Sequence, residues 1–199
     1  VAIGLPQNFV EQGFLQAADA ASQLPRVAGH KAIVSGSCSV MTNRQVGHFM
    51  RGGGEAYALD ALKLAGAEAE AQRALAWARP RLARGPVLIY STADPARVSD
   101  VQSQLGVAAS SALIEETLTH IARGLVDVGV SQLIVAGGET SGAVVGGLGV
   151  RALRIGPQID PGVPWTCTLG EKPILLALKS GNFGSEDFFS RAFAVAQES

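Results

Sequence analysis

The stretch LIVAGGETSGAVVGGLG, residues 133–149, indicates a buried strand, a glycine turn and a helix of small residues. Its apolar run has the length of a strand and stops at two glycines, whose missing Cβ lets the backbone approach a ligand. Thr140 or Ser141 can then cap the helix that follows. Because such a turn offers several N–H groups and the positive end of a helix to an anion, we expect a phosphate site at residues 137–142.

The order of strand, turn and helix recurs along the chain. Further strands are expected at residues 31–35, 55–60, 87–91, 150–155 and 174–179, and helices at residues 8–22, 61–82, 110–124 and 185–196. Thr42 with Gln45 predicts a capping box, and Asp94 with Pro95 predicts another helix start. Pro80 is expected to kink or end its helix early, and residues 156–165 are expected to form a Pro-rich loop.

Apolar strands that alternate with helices are typical of a mostly parallel sheet covered on both faces. We therefore expect an α/β fold, a three-layer αβα sandwich, in which ligands bind at the carboxyl ends of the strands. The chain has 199 residues, of which 47% are hydrophobic and 17% are charged, so residues 1–199 are expected to form a single domain.

Charge and cysteine content exclude several classes of function. The formal net charge is −1 and there is no long basic run, so neither nucleic acid nor an anionic membrane is an expected partner. Cys38 and Cys167 lack the spacing of a disulfide framework or a zinc site, which favours the cytoplasm. No apolar run reaches membrane-spanning length, and a start at Val1 rather than Met suggests a fragment or a processed start.

Three turns follow apolar strands, at residues 36–39, 137–140 and 181–184. A parallel sheet can bring them to one edge, where the hydroxyls of Ser37 and Ser39 could bind phosphate oxygens. Taken singly, each turn is more often an ordinary connection, because tight turns need Gly and Ser in any case. Their recurrence at equivalent strand ends favours one shared nucleotide site.

Three charged residues near these turns each have two interpretations. Glu139 either binds a Mg²⁺ ion that bridges to phosphate or is simply an acid placed favourably in a first helical turn. Lys179 either neutralises phosphate or points to solvent. Asp160 either orients a ligand or starts a turn before Pro161, and for this residue the turn is the favoured interpretation.

The standard catalytic and nucleotide motifs do not decide the function. The chain has neither a GxxxxGK[ST] loop nor a clear GxGxxG fingerprint. Its histidines, His30, His48 and His120, show no paired metal-ligand spacing, so no metal site is assigned. Residues 37–39 could suggest a nucleophile turn, but GxSxG is absent and hydrolase chemistry is only a weak alternative.

The sequences GSCS at residues 36–39, AGGETSG at 136–142 and KSGNFG at 179–184, in this order, resemble the carboxyl-terminal nucleotide-binding domain of the four-carbon acid sugar kinase family. The sequences GLPQNF at 4–9 and IGPQIDPGVPW at 155–165 extend the resemblance over essentially the whole chain.

This resemblance implies phosphorylation of the terminal hydroxyl of a four-carbon sugar acid, with ATP and Mg²⁺ as cofactors. It implies an ATP site that contains Ser37, Ser39, Gly137, Gly138, Glu139, Thr140, Gly181 and Asn182. Relatives also have an amino-terminal sugar-acid domain that this chain does not match, so the catalytic residues are expected there. A homodimer is compatible with these features.

Two alternatives stay open at this point. The first is a free-standing nucleotide-binding or interaction module that has the same fold but no kinase activity of its own. The second is a phosphate-handling αβα domain similar to those of pterin-cofactor biosynthesis.

Overall fold

The computed structural model describes residues 4–14, 23–59, 67–91 and 107–198. Its strands are β1 (His30–Ser35), β2 (Glu55–Ala58), β3 (Val87–Tyr90), β4 (Val130–Ala136), β5 (Leu153–Asp160), β6 (Val163–Thr168) and β7 (Leu175–Lys179). Its helices are α1 (Gly4–Glu11), α2 (Val40–Arg51), α3 (Ala67–Leu82), α4 (Val107–Asp127), α5 (Gly138–Gly147) and α6 (Phe188–Glu198).

The described strands form one sheet in the order β2-β3-β1-β4-β7-β6-β5. The first five strands are parallel, β6 runs antiparallel to β7, and β5 runs antiparallel to β6. Because β1, β4 and β7 are neighbours and point the same way, their carboxyl ends lie side by side. The expected α/β architecture with a mostly parallel sheet is confirmed.

Alternation of side chains along the central strands builds a core on each face of the sheet. Val34 points to one face, where it packs with Leu118 of α4 and with helix α3, and Ile33 points to the other, where it packs with Phe49 of α2 and Phe189 of α6. Helices therefore cover both faces, which makes the three layers.

Two helix starts differ from the expectation. Helix α2 is capped by Ser39, whose Oγ accepts a hydrogen bond from the amide of Thr42 at 3.2 Å, so the capping box at Thr42 is wrong. Helix α5 has Gly137 as its N-cap, without a side-chain cap, and Thr140 and Ser141 lie inside the helix rather than before it. Gly137 has a φ of +129°, a conformation that favours glycine.

The segment expected to be a Pro-rich loop is an antiparallel hairpin. Strand β5 continues to Asp160, the chain turns at Gly162 with φ +80°, and β6 follows. Prolines are tolerated because Pro157 lies on an edge strand and Pro164 lies beside an irregularity in the pairing register. The loop prediction is wrong because it relied on the prolines, although most residues of β6 are buried.

The ends of two further helices also differ. Helix α1 begins at Gly4, and Asn8 lies within it rather than at its start, with its side chain bonded to Gln12. Helix α3 continues through Pro80 to Leu82, although the proline lacks the amide that would donate to the residue four positions earlier. Residues 15–22 of the first expected helix, residues 61–66 and the expected helix start at Asp94 lie outside the described residues.

Candidate functional site

The three glycine and serine turns meet at one edge of the sheet, as expected from the sequence. The parallel hydrogen-bond ladder continues one residue past the strand ends, because the amide of Gly36 donates to the carbonyl of Ala136 at 2.9 Å. The amide of Gly137 likewise donates to the carbonyl of Lys179 at 2.9 Å. Each turn is thus fixed to its neighbour before it leaves the sheet.

The turns approach so closely that glycine is required at their contacts. A Cβ on Gly181 would lie 2.6 Å from Ser37 Oγ and 2.9 Å from Ser39 Cβ. A Cβ on Gly36 would overlap the hydroxyl of Thr140. Residues of all three turns, far apart in sequence, therefore contact one another.

The first turn offers hydroxyl groups. Ser37 Oγ accepts a hydrogen bond from the amide of Ser39 at 3.2 Å, and Ser39 Oγ donates to Thr42 Oγ1 at 3.0 Å. In the described part of the chain Ser37 Oγ acts only as an acceptor, so its own O–H can be offered to a ligand oxygen. The side chain of Cys38 between them is exposed.

The second turn presents the start of helix α5. Gly138 and Glu139 are exposed, whereas Gly137 and Thr140 are buried. A Cβ added to Gly138 would meet no atom within 4 Å, so the space in front of the helix is open. The first amides of α5 and its positive end face this space without a capping side chain.

A second carboxyl group lies beside this helix start. Glu115 of α4 is half-buried and lies within hydrogen-bonding reach of Glu139. Burial and, to a smaller extent, the negative charge and hydrogen bond of Glu139 raise the pKa of Glu115. Two carboxyl groups at the edge of a phosphate cradle concentrate negative charge, which a cation would relieve.

Buried side chains donate hydrogen bonds to the backbone of the third turn. Thr42 Oγ1 donates to the carbonyl of Gly181 at 2.7 Å. Lys179 Nζ donates to Thr42 Oγ1 at 3.0 Å and to the carbonyls of Ser180 and Gly181 at 3.1 and 2.9 Å. The side chain of Lys179 is 1% exposed, so it does not point to solvent. Its three donors are occupied, so it does not reach outward toward a phosphate either.

Two further side chains fix the end of this turn. Gln45 Nε2 donates to the carbonyls of Phe183 and Ser185 at 3.0 and 2.9 Å. Asp160 Oδ2 accepts hydrogen bonds from the amide and the hydroxyl of Ser185, and its other oxygen pairs with Arg191. Burial raises the pKa of Asp160, but the bonds from Arg191 and Ser185 outweigh it and hold that pKa below its usual value. Asp160 therefore anchors a loop.

The sequence singles out Thr42 and Gln45 but predicts the wrong role for them. A Thr followed by Gln three residues later is the local signature of a capping box, and nothing in it reveals a contact with residues 181–185. Their burial depends on tertiary contacts, which a local pattern does not predict. In the described ranges, no three His, Cys, Asp or Glu side chains lie close enough to hold a metal ion.

Comparison with known proteins finds similar sequences over most of this chain. Residues 32–189 match the family described as the nucleotide-binding C-terminal domain. A 3-oxo-tetronate kinase from Pseudomonas fluorescens is 53% identical over 192 residues, which cover 96% of this chain and 44% of that relative. The chain thus spans less than half the length of this relative.

Solved structures show the same fold. A Haemophilus influenzae protein is 40% identical with a TM-score of 0.81, and the match covers 87% of this chain and 42% of that one. A Bordetella bronchiseptica protein, crystallised with citrate as a domain-swapped dimer, is 20% identical with a TM-score of 0.67 over 86% of this chain and 42% of that one. At that identity the second likeness is evidence for the fold alone.

No helix in the described ranges is long and apolar enough to cross a membrane.

Proposed function

Because this chain belongs to the family of nucleotide-binding carboxyl-terminal domains, as found in the four-carbon acid sugar kinases, we propose that it holds ATP for phosphoryl transfer. The acceptor is the terminal hydroxyl of a four-carbon sugar acid such as 3-oxo-tetronate. The observation that supports this proposal best is the convergence of three turns on one edge of the sheet, since no single turn has a decisive motif.

The phosphates are assigned to the hydroxyl of Ser37, to residues 137–140, and to Gly181 with Asn182. Ser39, whose amide and hydroxyl donate within the first turn and to Thr42, holds that turn in shape. Backbone amides and hydroxyls suit phosphate binding because they donate hydrogen bonds to its oxygens and take up little space. Phosphoryl transfer depends on positioning and on stabilising the charge that spreads over the transferred group. These hydrogen-bond donors would position ATP, which is the phosphoryl donor, and stabilise charge on its phosphates.

Mg²⁺ belongs to the same proposal. Glu139 lies in the first turn of α5 with Glu115 close to it, and a bound Mg²⁺ would neutralise phosphate charge that these carboxylates would otherwise repel. The acceptor and the group that activates its hydroxyl are assigned to an amino-terminal sugar-acid domain, which lies outside this chain. We place the reaction in the cytoplasm, in keeping with two cysteines that are both free.

Isothermal titration calorimetry of the 199-residue chain with Mg-ATP and Mg-ADP tests the proposal. We expect saturable binding of both nucleotides, and thermal stabilisation that grows with nucleotide concentration. Adenosine without phosphates should bind much more weakly. Absence of both heat and stabilisation at millimolar nucleotide would remove the nucleotide site and leave an interaction module that has kept only the fold.

A further inference from the structure

The buried ammonium group of Lys179 is a feature that the proposed phosphate contacts do not use. Lys179 is the last residue of β7, and its side chain turns back under the loop that follows. Its three partners are Thr42 Oγ1 and the carbonyl oxygens of Ser180 and Gly181, all at 2.9–3.1 Å. A hydroxyl and two carbonyls are uncharged, so these bonds hold the ammonium without an ion pair.

The positions of these two carbonyls fix the directions of two amides. In a trans peptide the C=O and the next N–H point in opposite directions, and the described residues contain no cis peptide bond. The carbonyls of Ser180 and Gly181 point inward to Lys179, so the amides of Gly181 and Asn182 point away from it. The amide of Phe183 closes the turn on Ser180 at 3.2 Å, which places Gly181 and Asn182 at its centre.

Gly181, at the centre of this turn, also lies against the first turn. The Cβ position of Gly181 lies 2.6 Å from Ser37 Oγ, and the Asn182 side chain is exposed. Two adjacent amides that point the same way form a concavity suited to an anion. We propose that Lys179 is a positioning residue of the nucleotide site, which it serves by holding the Ser180 and Gly181 carbonyls inward so that the Gly181 and Asn182 amides face phosphate; this inference rests on the proposed function.

Burial of this charge lowers the stability of the fold, and the need to fill space does not explain why a lysine is present. Desolvation lowers the pKa of Lys179 from 10.5 to about 8. A methionine would fill much of the same volume without that cost, because it has a similar length and no charge. A group kept at a cost to stability is typical of a functional site.

The test compares binding of ADP, pyrophosphate and adenosine to the full 199-residue chain and to Lys179→Met. Lys172→Met is the matched control, because Lys172 is exposed on the connection before β7. We expect Lys179→Met to weaken ADP and pyrophosphate by about tenfold or more, as for the loss of hydrogen bonds to a charged group. Adenosine binding should not change, and the control should bind all three ligands as the wild type does.

Thr42 provides a second, independent pair of variants in case Lys179→Met does not fold. Thr42→Val removes the hydroxyl that bonds both Lys179 and Gly181, and Thr42→Ser keeps it. We expect Thr42→Val to weaken pyrophosphate binding and Thr42→Ser to restore it. In ¹⁵N–¹H spectra, pyrophosphate should shift the amides of Gly181 and Asn182 in the wild type and in Thr42→Ser only.

The outcomes separate this inference from the function it rests on. If the wild type binds ADP and Lys179→Met binds it equally well, the positioning role is wrong and the nucleotide site stands. An equal loss for ADP and adenosine would indicate a general structural defect and would also overturn the inference. A wild-type chain that does not bind ADP would overturn both.

Discussion

Single glycines shape the candidate site for two different physical reasons. Gly36 and Gly181 lie where a Cβ would strike a neighbouring turn, so they allow the turns to meet. Gly138 lies where a side chain would meet open space, so its value is the room that it leaves for a ligand. Substitutions at the two kinds of position should therefore fail in different ways.

Gly138→Asp tests the room for a ligand. The side chain fits, but its carboxylate would lie at the start of α5 and repel phosphate, so we expect nucleotide-induced thermal stabilisation to disappear while the melting temperature of the free chain changes little. Gly146→Asp is the matched control, since Gly146 is on the same helix, also faces open space, and lies about 12 Å farther along at 1.5 Å per residue. Equal stabilisation of both variants by ADP would contradict a cradle at Gly138.

Gly36→Ala tests the contact between turns. Its Cβ would overlap the hydroxyl of Thr140 and approach Leu118 Cδ1 at 2.9 Å, so the variant is overpacked and should lose about 1–3 kcal/mol of unfolding free energy. Urea unfolding measures this loss. Gly85→Ala, where no atom lies within 4 Å, should change the stability far less. Similar values for the two variants would mean that the first and second turns are not in contact.

At the level of elements, the central part of the fold could be predicted from the sequence and the hairpin could not. Strands β1, β3, β4 and β7 are short apolar runs that end at turn residues, a signal that is local and strong. Strand β6 contains buried Trp165 and Cys167, but Pro164 within it and Pro161 just before it are typical of a loop. Its position between β7 and β5 depends on pairing with both strands, and no local sequence pattern encodes that pairing.

Local sequence patterns also do not predict the side-chain contacts of the third turn. The sequence places Lys179 at the end of a strand, and most lysines there point to solvent. Its inward direction follows from the parity of β7, because Leu175 and Ala177 share the core that also includes Phe49 of α2. The alternation of side chains predicts the face to which Lys179 points. It does not predict the bond to Thr42 of α2, which is 137 residues away in sequence.

The buried ammonium group of Lys179 makes the stability of the fold depend on pH. Its folded pKa of about 8 lies below the ordinary 10.5, so between these values the unfolded chain holds a proton that the folded chain has released. Stability therefore rises with pH in this window, with a slope of up to about 1.4 kcal/mol per pH unit from this group. Chemical denaturation between pH 7 and 10.5 should show this rise in the wild type relative to Lys179→Met. Parallel curves for the two proteins would mean that the ammonium is solvated rather than buried.

At the scale of the whole chain, we propose that these 199 residues supply the ATP-binding half of the reaction. Positioning of the acceptor in line with the γ-phosphate supplies a large part of the rate, and this chain does not hold the proposed acceptor domain. In a coupled assay of ADP release with tetronates, we expect the chain to be at least about 10³-fold slower than the full-length Pseudomonas fluorescens relative. Brisk turnover by the chain would contradict the assignment of the acceptor site.

Homodimer formation stays a prediction, which sedimentation velocity would decide.

The continuation of the sheet ladder into the turns also determines how fast their amides exchange with water. The amides of Gly36 and Gly137 are bonded to neighbouring strand ends, so their hydrogens should exchange only when the centre of the sheet opens. Those of Gly181 and Asn182 point outward and should exchange within seconds in the free chain, then slow when a phosphate ligand binds. One exchange experiment with and without ADP can therefore distinguish the amides that build the cradle from those that bind in it, and equal protection of all four in the free chain would contradict this division of roles.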